Sequence, residues 1–303
     1  MAPTSLPLDG RRVLITGATS GLGQQLASLA ALRGADVIVA VRSPERAERT
    51  RLMLEDLAPR GTISTVHLDL TSFDSVQAAL AEIHERWDSL DVVVNNAGVM
   101  AIDEALGPDG FDLTMTVNHL SATLLSVGVI DLLERSSAPR LTFTSSVVHW
   151  LSRLRPGLLG EAPSPYRRWV AYARSKEANL ATALELDRRA RDANSPLTIL
   201  CAHPGVAATH LGHEGHGLSN LVMRSLGPHL LPTAQQGAAS LAEAAFTDSY
   251  PGGSFVGPSG LFAGSPHRAR VSAYAADPRH GREVLDRTLA LIDAQLVFNL
   301  RTS

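Results

Sequence analysis

Thr16-Gly-Ala-Thr-Ser-Gly-Leu-Gly23 stands between a short β-branched run, Arg12 to Thr16, and a segment from Gln24 to Arg33 whose apolar residues recur at helical spacing. A glycine-rich loop that leaves a strand and opens a helix is the setting in which a backbone cradles a pyrophosphate. Gly17, Gly21 and Gly23 let the chain come close to phosphate, with Thr19, Ser20 and Leu22 completing the loop. The helix that follows offers unpaired N–H groups and the positive end of its dipole. A plain strand-to-helix turn is the simpler alternative, and the flanking strand and helix weigh against it. The spacing is G-x-x-x-G-x-G, not the commoner G-x-G-x-x-G.

Outward from this loop, short apolar runs alternate with longer helical patterns. Strands are expected over Arg12 to Thr16, Asp36 to Val41, Thr62 to Leu68, Asp91 to Asn95, Arg140 to Thr144 and Leu197 to Cys201, with a last one around Ser254 to Val256. Helices are expected over Gln24 to Arg33, Pro44 to Leu57, Phe73 to Arg86, Phe111 to Arg135 and Trp169 to Ala193. The second, fourth and sixth runs are continuously apolar, as strands covered on both faces are. The pattern predicts an α/β fold, a Rossmann-type doubly wound parallel sheet flanked by helices on both faces. Gly- and Pro-rich stretches at Leu154 to Pro165, His210 to Pro228 and Pro251 to His267 read as loops, the first two as candidate substrate walls near 148–168 and 208–232.

At 303 residues and 45% hydrophobic content the chain can bury one substantial core, so a single domain over 1–303 is expected. A net charge of −3 leaves no basic surplus for nucleic-acid phosphates. The lone Cys201, in an apolar run, excludes an internal disulfide. The first ten residues carry no signal-peptide pattern and no apolar run approaches the roughly 20 residues of a membrane span, so a cytoplasmic protein is expected. His210, His213 and His216 recur every third residue, but interleaved glycines argue against a rigid metal site, and no metal is expected.

Tyr172 and Lys176 lie four positions apart within a helical pattern, which puts both side chains on one face. An ammonium beside a phenol lowers the phenol's pKa from its ordinary ~10 and suits it to proton transfer.

With its loop spacing, Asn95-Asn-Ala-Gly98, Asp69-Leu70, Asn118, Ser145-Ser146, Tyr172-x-x-x-Lys176 and Pro204-Gly205 in order, the sequence resembles the short-chain dehydrogenase/reductase family over roughly its first 210 residues. Thr116-Val-Asn-His119, His203-Pro-Gly205 and Ser175-Lys-Glu-Ala-Asn179 resemble its retinol dehydrogenase-like and protochlorophyllide reductase-like branch, from which Glu177, where an apolar residue is usual, departs. The resemblance implies a catalytic set of Asn118, Ser146, Tyr172 and Lys176: Tyr172 the general acid or base, Ser146 orienting the substrate oxygen (Ser145 a minor alternative), Lys176 also holding the nicotinamide ribose, and Asn118 holding a relay water or simply marking a helix kink. It also implies cofactor contacts from Asp69, Leu70, Asn95, Ala97, Gly98, Pro204, Gly205, Val206 and Thr209, and a homodimer or homotetramer.

Cofactor choice turns on the end of the second strand, where an acid would bind the ribose of NAD. Arg42 and Ser43 stand there instead, so NADP(H) is expected over NAD(H). The expected reaction is hydride transfer interconverting a small-molecule substrate, a medium to large hydrophobic ketone or aldehyde, and its alcohol. Val148, His149, Trp150 and His210 are candidate substrate contacts, and Leu151, Leu154, Leu158 and Leu159 either line an apolar pocket or pack the insertion. A non-redox NADP-binding sensor and a cofactor-assisted epimerase or dehydratase are the alternatives.

Overall fold

Arg12–Thr16 (β1) pairs in parallel with Asp36–Val41 (β2) on one side and Val92–Asn95 (β4) on the other. This is the crossover that makes a sheet doubly wound. The computed structural model describes residues 7–58, 60–205, 234–260 and 264–298. Ile63–His67 (β3), Arg140–Thr144 (β5), Thr198–Ala202 (β6), Phe255–Pro258 (β7) and Pro266–Arg268 (β8) complete an eight-stranded sheet of order β3-β2-β1-β4-β5-β6-β7-β8, parallel except for the β7–β8 pair.

Strand alternation divides the core in two. Val13, Ile15, Val92 and Val94 face the layer built by Gly21–Leu32 (α1), Pro44–Leu57 (α2) and Ala234–Phe246 (α8). Leu14 and Val93 face the opposite layer, which holds Phe73–Arg86 (α3), the segment from Leu113 to Leu133, Arg168–Asp192 (α7) and Pro278–Leu291 (α10). Burial on both faces explains why these runs contain almost no polar residue.

Three features depart from expectation. The helix expected over Phe111 to Arg135 is broken into Leu113–Met115 (α4), a π-helical turn Thr116–Leu120, Ser121–Gly128 (α5) and Ile130–Leu133 (α6). The wide turn contains Asn118, whose amide bonds the backbone of Val99 through both its oxygen and its nitrogen, so the irregularity marks the site. The expected loop Pro251 to His267 contributes β8, a three-residue edge strand with Pro258 opposite Pro266, a position where a missing N–H is tolerated. Beyond it, Ala273–Ala276 (α9) and α10, capped by Asp277, close over the α7 layer. Among the described residues no helix is long and apolar enough to cross a membrane.

Candidate active site

The loop after β1 and the loop after β4 are joined side to side. Thr16 Oγ1 accepts from the amides of Asn96 and Ala97 at 3.1 and 3.0 Å, and Asn96 Nδ2 donates to the Thr16 carbonyl at 3.0 Å. A Cβ on Gly23 would stand 2.3 Å from the Gly17 carbonyl oxygen and 2.5 Å from Asn96 Nδ2. Only glycine lets α1 start this close to the strand. At Gly21 a Cβ would meet nothing within 4 Å, so the loop is open on its outer side. Ser20, the N-cap of α1, makes no side-chain cap bond, and no acid lies in the first turn. The helix therefore presents unpaired N–H donors and no competing carboxylate, a fit for pyrophosphate. Leu22 is buried and offers only its backbone.

A groove of about 740 Å³ runs along the carboxyl ends of β1, β2, β3 and β4, lined by Gly17, Thr19, Arg42, Ser43, Asp69, Leu70, Ala97 and Gly98 of the expected cofactor residues. Arg46 lines it too. Sequence reasoning missed this second guanidinium, although it stands in the first turn of α2, four residues beyond Arg42. Ser43 is committed to that helix, accepting from the Arg46 amide at 3.3 Å and donating to Glu45 at 2.7 Å. Asp69 holds its own turn through Thr71, at 3.0 Å from the amide and 2.8 Å from the hydroxyl. The Asn95 side chain is buried and donates to Ser126 Oγ at 2.7 Å, which leaves its backbone as the group nearest the groove. Ala97 and Gly98, just beyond β4, line the groove directly.

The groove meets the catalytic residues at Gly98, where a Cβ would stand 2.8 Å from Asn118 Oδ1 and 3.3 Å from Lys176 Nζ. Ser145 and Ser146, directly after β5, turn to opposite sides. Ser145 Oγ turns inward and donates to the Lys176 carbonyl at 2.6 Å, whereas the Ser146 side chain hydrogen-bonds Tyr172. Lys176 Nζ lies 5.7 Å from the centre of the Tyr172 ring and donates to the Thr144 carbonyl at 3.1 Å. Asn179, one turn along α7 and absent from the expected set, donates to that same carbonyl at 3.1 Å and to the Asn118 carbonyl at 2.9 Å. The Asn118 side chain is tied down by Val99 at both its oxygen and its nitrogen and donates to Ser175 Oγ at 2.9 Å.

The electrostatics differ from expectation. Burial pushes the Tyr172 phenol up to about 12, against a smaller lowering by the Ser146 hydrogen bond, and burial brings Lys176 down to about 8. A dry site penalises both charged forms, and burial outweighs the effect of the neighbouring ammonium, 5.7 Å from the ring centre. Tyr172 is therefore a firmly protonated phenol, the state a proton donor requires.

On the far side of Ser146 a 3₁₀ turn, Val147–Leu151, begins at once, its Val148 amide donating to Ser146 Oγ at 3.4 Å. His149 is buried, with Nδ1 2.8 Å from the Ser146 carbonyl and Nε2 accepting from the Ser272 amide at 3.4 Å. It braces the turn and keeps no free ring nitrogen for substrate. The apolar insertion divides: Leu154 and Leu159 are buried in the core, while Trp150, Leu151 and Leu158 are exposed. Pro204 and Gly205 follow β6, with the Gly205 amide held by His203 Nδ1 at 3.1 Å. Val206, Thr209 and His210, with the rest of the glycine- and histidine-rich stretch, lie outside the described residues. Among the described residues no cluster of three or more His, Cys, Asp or Glu could hold a metal ion.

Comparison with known proteins identifies the family. The family model described as short chain dehydrogenase matches residues 11–216. Human retinol dehydrogenase 13 is 34% identical over 227 residues, which cover 75% of this chain and 68% of that protein. An uncharacterized Mycobacterium paratuberculosis protein of known crystal structure is 32% identical, with a TM-score of 0.79 and 97% of each chain covered. A short chain dehydrogenase of Shigella flexneri, crystallised with NADP, is 25% identical with a TM-score of 0.61, covering 77% of this chain and 90% of that one.

Proposed function

This chain belongs to the short-chain dehydrogenase family, in its retinol dehydrogenase-like branch, and from that premise we propose that it is an NADP(H)-dependent reductase of hydrophobic ketones or aldehydes. The observation that carries the reading is the junction at Gly98, where a groove lined by Arg42 and Arg46 runs into a buried serine–tyrosine–lysine set. When bound, NADPH would supply the hydride. Gly17 to Gly23 and the start of α1 would hold its pyrophosphate, and Arg42 with Arg46 its 2′-phosphate.

In this reading Ser146 holds the carbonyl oxygen and Tyr172 gives it a proton as it becomes an alcohol. A phenol with a pKa of about 12 donates only to a strongly basic oxygen, which is what a carbonyl oxygen becomes once hydride reaches its carbon. The Lys176 cation stabilises the phenolate left behind, and its own burial makes that charge more effective than it would be in water. Asn179 fixes the Thr144 carbonyl against which Lys176 is set and ties it to the Asn118 carbonyl. Trp150 and Leu151, exposed at the end of the turn that follows Ser146, favour an apolar substrate. The same reading has the protein working in the cytoplasm as a homodimer or homotetramer, a point that light scattering would test.

The functional test is oxidation of NADPH, with NADH in parallel, against medium and large hydrophobic ketones and aldehydes. Turnover with NADPH supports the reading. Tight NADPH binding without turnover of any carbonyl moves the non-redox alternative ahead.

A further inference from the structure

Glu177 is the residue of the catalytic helix that family resemblance does not explain. It is fully buried, directly after Lys176, where an apolar side chain is usual. A carboxylate in such a place costs several kcal/mol of solvation unless its oxygens are well bonded. Here they are: one oxygen accepts from Ser152 Oγ at 2.7 Å and the Leu154 amide at 3.0 Å, and the other lies 2.6 Å from Nε2 of the buried His280 on α10. Tyr274 completes the arrangement, its ring 4.0 Å from that of His280 and its hydroxyl donating to the Leu154 carbonyl at 2.5 Å. Both backbone polar groups of Leu154 are thus gripped by side chains from distant elements.

The grip lies at the far end of the turn that starts at Ser146. At its near end the Ser146 hydroxyl bonds Tyr172 and accepts from Val148, and at its far end Ser152 and Leu154 bond Glu177. Tyr172 and Glu177 are five residues apart on one rigid helix. The segment from Ser146 to Leu154 is therefore stapled twice across α7, once at the reacting group and once at the carboxylate.

We infer that Glu177, held by His280, is a positioning residue for the reaction: it fixes the Ser146–Leu154 segment on α7 and thereby the direction in which Ser146 presents its hydroxyl to a bulky carbonyl substrate. The inference rests on the reductase reading above. Hydrophobic packing alone would hold the segment near α7, but a buried charge accepting three donors sets it in a single register, which apolar contact does not.

The test pairs Glu177→Gln, which keeps volume and removes the charge, with the more severe Glu177→Leu, each alone and combined with Ser146→Ala. If Glu177 acts through Ser146, the Glu177 variants lower kcat about ten- to a hundredfold in the wild-type background, the cost of a misplaced group. In the Ser146→Ala background they lower it less than about threefold, because effects that run through one group are not additive. NADPH affinity stays within about twofold of wild type, and amide hydrogen exchange speeds up at Ser152 and Leu154. Equal losses in both backgrounds overturn the inference, as does unchanged exchange at Leu154 in folded Glu177→Gln. A wild-type protein that turns over no carbonyl refutes the reductase reading instead, and amide exchange then still decides whether Glu177 holds the segment.

Discussion

Lys176 Nζ and Asn179 Nδ2 donate to one and the same acceptor, the Thr144 carbonyl, each at 3.1 Å. The lysine is thus seated at the end of β5 by an oxygen whose second lone pair is already used. Its charge is a burden to the folded chain, where burial lowers its pKa to about 8 from an ordinary 10.5.

Lys176→Met should therefore stabilise the cofactor-free protein at pH 7, by about 1–3 kcal/mol, while abolishing turnover. Thr144 keeps its bond from Asn179, so the substitution strands no acceptor. The sign follows from linkage: between pH 8 and 10.5 the unfolded lysine binds a proton that the folded one does not, so wild-type stability gains as pH rises through that window. The advantage of Lys176→Met over wild type, measured by urea unfolding, should shrink from pH 8 to 10.5.

Two other buried bases act at acid pH. His119 is fully buried between Asn179 and Thr288, and burial lowers it to about 4; His203, packed on Phe255, is lowered to about 4 as well. Each stays neutral in the folded chain and takes up a proton on unfolding once the pH falls below about 6.5. Stability present above pH 6.5 is lost as the pH falls toward 4, on the order of 2 kcal/mol for each histidine. In His119→Gln the proton uptake on unfolding at pH 5 should fall by about one.

Gly23→Ala would force a methyl group into the Gly17 carbonyl and the Asn96 amide. Because the intruded atom is backbone, the glycine loop must move. The variant should lose about 1–3 kcal/mol of stability and bind NADPH at least about tenfold more weakly, read by quenching of protein fluorescence.

Arg42 and Arg46 both line the groove where an acid would otherwise meet the ribose. Arg42→Ala should raise KM for NADPH about ten- to a hundredfold and change that for NADH less than about threefold, the mark of a contact to the 2′-phosphate. Equal effects on both cofactors would instead make the arginine a general phosphate or structural contact.

Much of this was legible in the sequence, because its signals are local. The glycine spacing, the apolar strand runs and the four-residue step from Tyr172 to Lys176 each need only neighbouring residues to be read. Helix α1 begins at Gly21, ahead of the periodic pattern that marks it, because caps carry no apolar signal. What could not be read depends on distance or burial. Glu177 meets His280 across 103 positions, and Asn95 reaches Ser126 across 31. Strand β8 is three residues long with a proline in it, too short to show alternation. The upward shift of Tyr172 follows from dryness, which the residues around it in sequence do not announce.

The most direct test of the account is Tyr172→Phe, assayed for NADPH oxidation with the best carbonyl substrate alongside NADPH affinity. The variant removes one hydroxyl from a buried ring. With Tyr172 as the proton donor, kcat should fall at least about a thousandfold, toward the upper range for loss of a general acid, with NADPH affinity within about threefold of wild type. Turnover retained within about tenfold of wild type would contradict it and place the proton donor elsewhere.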